Sequence, residues 1–220
     1  MLKQDRGKNT WANLTADMQR YTGSSMRPWS MAFLKRVITE AYKHPGLIAV
    51  VVFRYGQWIA FRCRIPVIRQ LLDIHYYFLF NWVRTRLGIE VHRTTTIDGG
   101  FRIDHFGGII VNSEIVAGKG FTISTGVVIG HAPSGTPTFG DNVNLSVGSK
   151  IIGSVHLADN VIVGAQALVN KSFPAGAIVG GVPAKILKFQ EGFSPPPKED
   201  DIVLSGRQGF KPAGPEEKIA

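Results

Sequence analysis

The chain has 220 residues, of which 44% are hydrophobic and 19% charged, with 25 Gly and 12 Pro. That length can bury a sizeable core, and the composition excludes a wholly disordered or collagen-like chain. The formal net charge of +9 is concentrated at one end: residues 1–88 carry 14 Lys+Arg against 4 Asp+Glu, residues 89–188 carry 7 against 6, and residues 189–220 carry 4 against 6. A single cysteine, Cys63, excludes an internal disulfide and a cysteine-based metal site, so a reducing, cytoplasmic setting is expected and no metal. The first residues show no signal-peptide pattern, and the longest apolar run, Leu47 to Phe53, is too short to span a bilayer.

Residues 1–88 read as a helical oligomerisation segment. A helix is expected to begin near Asn13-Leu14-Thr15, and helical patterning from Trp29 to Tyr42 is broken by Pro45-Gly46. Leu47 to Arg64 forms an apolar helix that stops near Pro66. Val67 to Leu87 forms another, with Leu71, Leu72, Tyr76, Leu79 and Val83 at helical spacing and Gly88 as its stop. Tyr76, Tyr77, Phe78, Phe80 and Trp82 exceed what one helix face can bury, so some are expected against other subunits or a lipid surface. The basic residues fit a solvated face first and peripheral contact with an anionic membrane second. Nucleic acid is not expected as a partner: there is no recognition motif, and Arg54, Arg62, Arg64 and Arg69 are interleaved with core-like residues.

At Gly88 the texture changes to Val, Ile, Gly, Ser, Thr, Asn and Asp, with a period of six. Apolar residues fall at Phe139, Leu145, Ile151, Leu157, Val163 and Val169 without a slip. A second series two residues earlier runs Val143, Ser149, Val155, Val161 and Ala167 and ends at Phe173. Upstream, Val91, Ile97 and Ile103 keep the period. It resumes after a two-residue insertion at Val111, Ala117, Ile123 and Ile129, and a four-residue insertion within His131 to Thr138 precedes Phe139. Neither an α-helix nor an amphipathic strand has this period, whereas a coil of three short strands with a corner every six residues does. Gly140, Asp141, Asn142, Asp159, Asn160 and Gly164 sit at the expected corners. Thirteen apolar register positions make slightly more than four coils. The Pro-, Gly-, Lys- and Glu-rich residues 189–220 read as an extended tail.

The strings GIEVH (88–92), RIDHFGGIIV (102–111) and VGGVPAKIL (179–187) resemble the serine acetyltransferases, which are hexapeptide-repeat acyltransferases. The resemblance spans roughly residues 45–188 and is nearest to members found in bacterial exopolysaccharide gene sets. It implies a mainly β fold, a left-handed parallel β-helix over residues 89–188 behind an N-terminal α-helical segment. It also implies acetyl-CoA as donor and a homotrimer, or a hexamer of paired trimers, with active sites between neighbouring prisms.

Residue by residue, the resemblance makes His105 the catalytic base, Glu90 the carboxylate that orients it, and Asp104 a group that helps hold the acceptor. An imidazole titrates near ~6.5 and suits base catalysis at neutral pH. His92 matches the same motif, but His92-Arg93 replaces the family's His-Pro, so His92 reads equally well as structural. Gly130, Val147, Gly148, Ala165 and Lys185, with Lys188 nearby, match the face along which the pantetheine arm of CoA lies. The main departure is the loop GHAPSGTP: Gly135-Thr136 stands where the family carries the Arg-His pair that grips the carboxylate of serine. A carboxylate that loses its charge partner loses several kcal/mol. The acceptor expected is therefore a saccharide or polysaccharide-precursor hydroxyl, with His131 and Thr136 lining the acceptor loop. Serine O-acetyltransferase is the alternative, and a non-catalytic oligomeric scaffold the second. The family's C-terminal isoleucine, which docks a partner sulfhydrylase, is replaced by Ile219-Ala220.

Overall fold

The computed structural model describes residues 10–23 and 30–195. Trp29 and the tail beyond Pro195, including Ile219 and Ala220, lie outside the described residues.

The helical segment comprises α1 (Thr10–Thr22), α2 (Met31–Lys43), α3 (Pro45–Arg62) and α4 (Pro66–Trp82), which continues into a π-helical turn, Val83–Leu87. Ser30 starts α2 by accepting the Phe33 N–H at 3.0 Å. Pro45 and Pro66 occupy the first turns of α3 and α4, where a missing N–H leaves no bond unmade. Gly88, at φ 63°, ends the last turn in the left-handed conformation that glycine adopts without strain.

Of these helices α3 is the most buried, and it fastens the segment to the rest of the molecule. Leu47, Val50, Phe53 and Ile59 are all within 1% of full burial. Arg54 is buried among them, and its guanidinium grips Asp17 of α1 at 2.7 and 3.1 Å. It also donates to the carbonyls of Ile97 and Asp98, each at 2.8 Å. Asp17 in turn accepts the Phe101 N–H at 2.7 Å. Burial pushes the Asp17 carboxyl above its ordinary range, while Arg54 and the backbone donors pull it back.

From Ile89 the chain coils. The first coil is β1 (Ile89–Val91), β2 (Thr96–Ile97) and β3 (Arg102–Asp104), and the second is β4 (Ile109–Val111), β5 (Val116–Ala117) and β6 (Thr122–Ser124). The third is β7 (Val128–Gly130), β8 (Thr138–Phe139) and β9 (Asn144–Leu145), and the fourth is β10 (Lys150–Ile152), β11 (His156–Leu157) and β12 (Ile162–Val163). The fifth holds β13 (Leu168–Val169), a bridge at Phe173 and β14 (Ala177–Gly180). Equivalent strands pair in parallel into three sheets: β1-β4-β7-β10-β13, β2-β5-β8-β11, and β3-β6-β9-β12-β14. An antiparallel strand, β15 (Lys185–Phe189), closes the last sheet beside β14. The parallel β-helix expected from the period of six is thus the fold found.

The expected inward series is buried throughout, from Val91 to Val169, and so are its companions Val143, Ser149, Val155, Val161 and Ala167. One assignment is corrected. Phe173 does not end the companion series; it pairs with Leu157 and belongs to the main one. The chain drops two residues after Val169, then resumes the period at Val179, so the prism completes five coils rather than slightly more than four.

The corner residues act as expected. Asn142 and Asn160 take left-handed φ values of 56° and 59°. Asp141 Oδ1 accepts the Lys119 N–H, and Asp159 Oδ1 accepts the Asp141 N–H, both at 2.7 Å, which ties successive coils together.

Candidate active site at a corner of the β-helix

The two-residue insertion that interrupts the hexads falls at the corner between the third and first sheets, and it carries His105. Extra chain at a corner has to leave the wall of the prism. His105, at φ 64°, and Phe106 both project into solvent, Phe106 being 52% exposed. A left-handed φ on a non-glycine residue is uncommon and concentrates at functional positions. The loop is held from behind: the Thr125 hydroxyl donates to the carbonyls of Phe106 and Gly107 at 2.9 and 2.8 Å.

Below His105 the same corner is stripped of side chains. Gly108, Gly126 and Gly148 stack in successive coils with φ of 67°, 72° and 70°. A Cβ on Gly108 would lie 3.5 Å from the Gly126 Cα, and one on Gly126 would lie 3.3 Å from the Gly148 Cα. Gln166, at φ 58°, ends the column and lays its side-chain amide over buried Gly148. The result is a gutter of bare backbone at Gly108 and Gly126 descending from the imidazole, closed below by the Gln166 side chain over buried Gly148 and flanked by exposed Val147 and Ala165. Four of the expected donor-site residues, Val147, Gly148, Ala165 and Lys185, lie along or just beyond this corner. Lys185 pairs with Gly180 at its lower end, where Val182 and Pro183 are also exposed.

Glu90 sits elsewhere in the first coil. It lies on the outer face of the first sheet, in register with exposed Ile110. A shallow cavity of about 470 Å³ opens there, lined by Glu90, His92, Thr94, Asn112, Ser113 and Gly130 among others. Neither Glu90 nor His105 makes a side-chain hydrogen bond or ion pair among the described residues. In the cavity, His92 Nδ1 lies 2.8 Å from the Thr94 hydroxyl, and its ring meets Phe80 edge-on. Burial lowers the His92 pKa from its ordinary value, the Arg93 cation lowers it further, and Glu90 opposes them. Asp104 faces outward from the third sheet, where Arg102 Nε holds it at 2.6 Å.

The GHAPSGTP loop forms at the opposite edge, between the first and second sheets. It folds back as a tight hairpin in which Ala132 and Gly135 exchange hydrogen bonds at 3.1 and 2.8 Å. The Ser134 hydroxyl accepts the Ser154 N–H at 3.1 Å, pinning the loop to the next coil. His131 is exposed and Thr136 half-buried. In one chain, then, His105 with the glycine gutter marks one edge, Gly130, His131 and Thr136 mark the other, and Glu90 lies on the sheet between them.

Four contributors escaped sequence reasoning. Phe106 reads as one more apolar residue until the insertion exposes it. Gly108 and Gly126 read as turn glycines until the coils stack them. Lys150, whose ammonium reaches the Gly148 carbonyl at 3.2 Å, occupies an outward hexad position that any polar residue could fill.

The fold and this edge define a parallel β-helix of hexapeptide repeats with an imidazole projecting above a side-chain-free corner. No protein-family model matches the chain. Among characterised proteins, it is 30% identical over 148 residues to a serine acetyltransferase of Synechococcus elongatus, covering 66% of this chain and 57% of that protein. It is 37% identical over 109 residues to a serine acetyltransferase of Staphylococcus epidermidis, covering 48% of this chain and 51% of that one. The chain therefore spans little more than half the length of these relatives. Among solved structures, a serine O-acetyltransferase of Brucella melitensis with bacterial transferase hexapeptide repeats superposes with a TM-score of 0.65 at 23% identity, covering 82% of this chain and 70% of that one. A serine acetyltransferase of Brucella abortus in complex with coenzyme A gives 0.64 at 22%, covering 82% of this chain and 68% of that one. The chain is thus similar in sequence to serine acetyltransferases over part of their length, and it shares the fold of the solved ones.

Proposed function

We propose that the protein is an acetyl-CoA-dependent O-acetyltransferase working in the cytoplasm as a trimer, or as paired trimers, of β-helices. The observation that carries this reading is the projecting His105 above the Gly108–Gly126–Gly148 column. The bare backbone at Gly108 and Gly126 admits a thin pantetheine arm closely, and Val147 and Ala165 give it apolar walls below. Lys185, Lys188 and Lys150 supply cations for the CoA phosphates. The coenzyme A bound in the Brucella abortus relative supports the same donor.

The chemistry follows from one proton and one carbonyl. His105 takes the proton of the acceptor hydroxyl as its oxygen attacks the thioester carbon. Backbone N–H groups of the corner stabilise the oxyanion of the tetrahedral adduct. The adduct collapses, the carbon–sulfur bond breaks, and the imidazolium returns its proton to the CoA thiolate. Within one chain Glu90 lies on the first sheet and Asp104 is held by Arg102 on the third, so orienting the imidazolium and holding the acceptor fall to the copies of these carboxylates that a neighbouring prism brings to His105. The separation of the two edges within one chain supports a composite site, in which a neighbouring prism brings its first-to-second-sheet edge, with His131 and Thr136, toward His105.

For the acceptor, the relatives' names favour serine. The chain's own loop favours a saccharide hydroxyl: Gly135-Thr136 offers no cation for an amino-acid carboxylate, and exposed Phe106 beside the base offers a face on which a sugar ring can lie. The deciding experiment is CoA release from acetyl-CoA by the full chain with L-serine, nucleotide sugars and oligosaccharides offered separately. His105→Ala should lower the rate with the active acceptor by about 10²–10⁴-fold. Release with L-serine at a rate matching any saccharide would establish the alternative acceptor. No acceptor-dependent release from any of them, with no thermal stabilisation by acetyl-CoA, would leave the scaffold reading.

A further inference from the structure

Helix α4 is amphipathic in the wrong sense for a core helix. Only Tyr76 of its 17 residues is buried. Val67, Leu71, Ile74 and Phe78 recur at four- and three-residue spacing along one stripe, and with Tyr77 and Trp82 they are 42–70% exposed. An apolar stripe of this size on a soluble surface marks a contact.

The charges around the stripe say what kind. Arg62, Arg64 and Arg69 are exposed at its start, and Arg84 and Arg86 are exposed just past its end. The one acid on α4, Asp73, is already engaged by Arg93 and, at 3.8 Å, by Arg69. The other described acids of the segment are turned inward: Asp17 is buried on Arg54, and Glu40 is buried beside Arg36, Lys43 and His44. A second copy laid on this face would set arginines against arginines with no free carboxylate between them. An anionic bilayer surface complements it, since the stripe enters the headgroup–acyl boundary while arginines at both ends meet lipid phosphates. Tyr77 and Trp82 are the side chains that favour that boundary. No described helix is long and apolar enough to cross a membrane, so the contact lies along the surface.

We propose that α4 seats the protein on anionic membranes, its Val67–Leu71–Ile74–Phe78 stripe in the bilayer interface and its flanking arginines on the headgroups. This holds independently of the acetyl-transfer reading.

The test is flotation of the full chain with vesicles of phosphatidylcholine alone or with one third phosphatidylglycerol, alongside its mass in solution. The wild type should float with the anionic vesicles at least about tenfold more than with the neutral ones, and less as salt rises. Leu71→Asp/Phe78→Asp should abolish flotation, and Arg64→Glu/Arg86→Glu should weaken it severalfold, both with unchanged solution mass. Circular dichroism confirms that these exposed-site variants fold. Wild type that floats with neither vesicle, or equally with both, overturns the proposal. So does a smaller assembly for Leu71→Asp/Phe78→Asp, which would make the stripe an interface between copies.

Discussion

The β-helix and the helical segment before it are held together in opposite ways. In the prism, one inward position is used again in every strand, and each Ile, Leu, Val or Phe stacks on its equivalent one coil away. No single contact is decisive, because each coil is clamped by the coils on either side. The helical segment has no such redundancy. It keeps an apolar cavity of about 350 Å³ among Trp11, Leu14, Phe33, Val52 and Tyr55, leaves most of α4 exposed, and docks on the prism through contacts that each occur once: the Arg54 knot, Arg20 on the Gly120 carbonyl and the Thr122 hydroxyl, Tyr21 on the Ile103 backbone, and Asp73 with Arg93. Repetition makes a rigid frame that can carry a site on its corner, while the helical segment, fastened by contacts that are not repeated, has surface left for contacts outside the chain.

Breaking the knot should be the most damaging change to the frame. Arg54→Met leaves the Asp17 carboxylate buried without its cation and should cost about 3–5 kcal/mol. The loss should appear in urea unfolding as early release of the helices, with the prism melting afterwards. A single cooperative transition at the wild-type midpoint would refute the contrast. Leu145→Ala, at a fully buried rung of the third coil, should cost about 2–5 kcal/mol. There the helices and prism should lose stability together, because the hole sits inside the stack. Smaller still, Gly126→Ala places a methyl 3.3 Å from the Gly148 Cα at a left-handed position and should cost about 1–2 kcal/mol. Its signature is functional: the KM for acetyl-CoA should rise more than kcat falls. Ile74→Ala on the exposed α4 stripe should shift stability by no more than about 0.5 kcal/mol.

The same contrast governs what the sequence could reveal. A period of six, repeated from Val91 to Val169, leaves few alternatives, because every hit restates the same inward geometry. It failed only where the chain skipped two residues, since Phe173 fits two series equally well until its partner Leu157 is seen. The insertions are visible as slips in the period, and one of them carries His105, so a projecting imidazole is legible in the sequence. The glycine gutter was only half legible. Gly148 was matched by resemblance, but Gly108 and Gly126 acquire their meaning by lying directly above it in other coils. The helical segment announced its helices through Pro45, Pro66 and Gly88. It did not announce how they dock, because Arg54 finds its acid on α1, 37 residues away, and its carbonyls on the first coil. Asp104 shows the remaining limit: next to His105 in sequence, it turns onto Arg102 on a different face of the prism.

A crystal structure of the full assembly with acetyl-CoA would test the central claim most directly. The extended arm should lie in the furrow that descends past Gly108 and Gly126 toward Gly148, with the thioester presented to a His105 imidazole at a junction between protomers. Donor density at some other edge, or an imidazole turned from the thioester with no second protomer nearby, would contradict it.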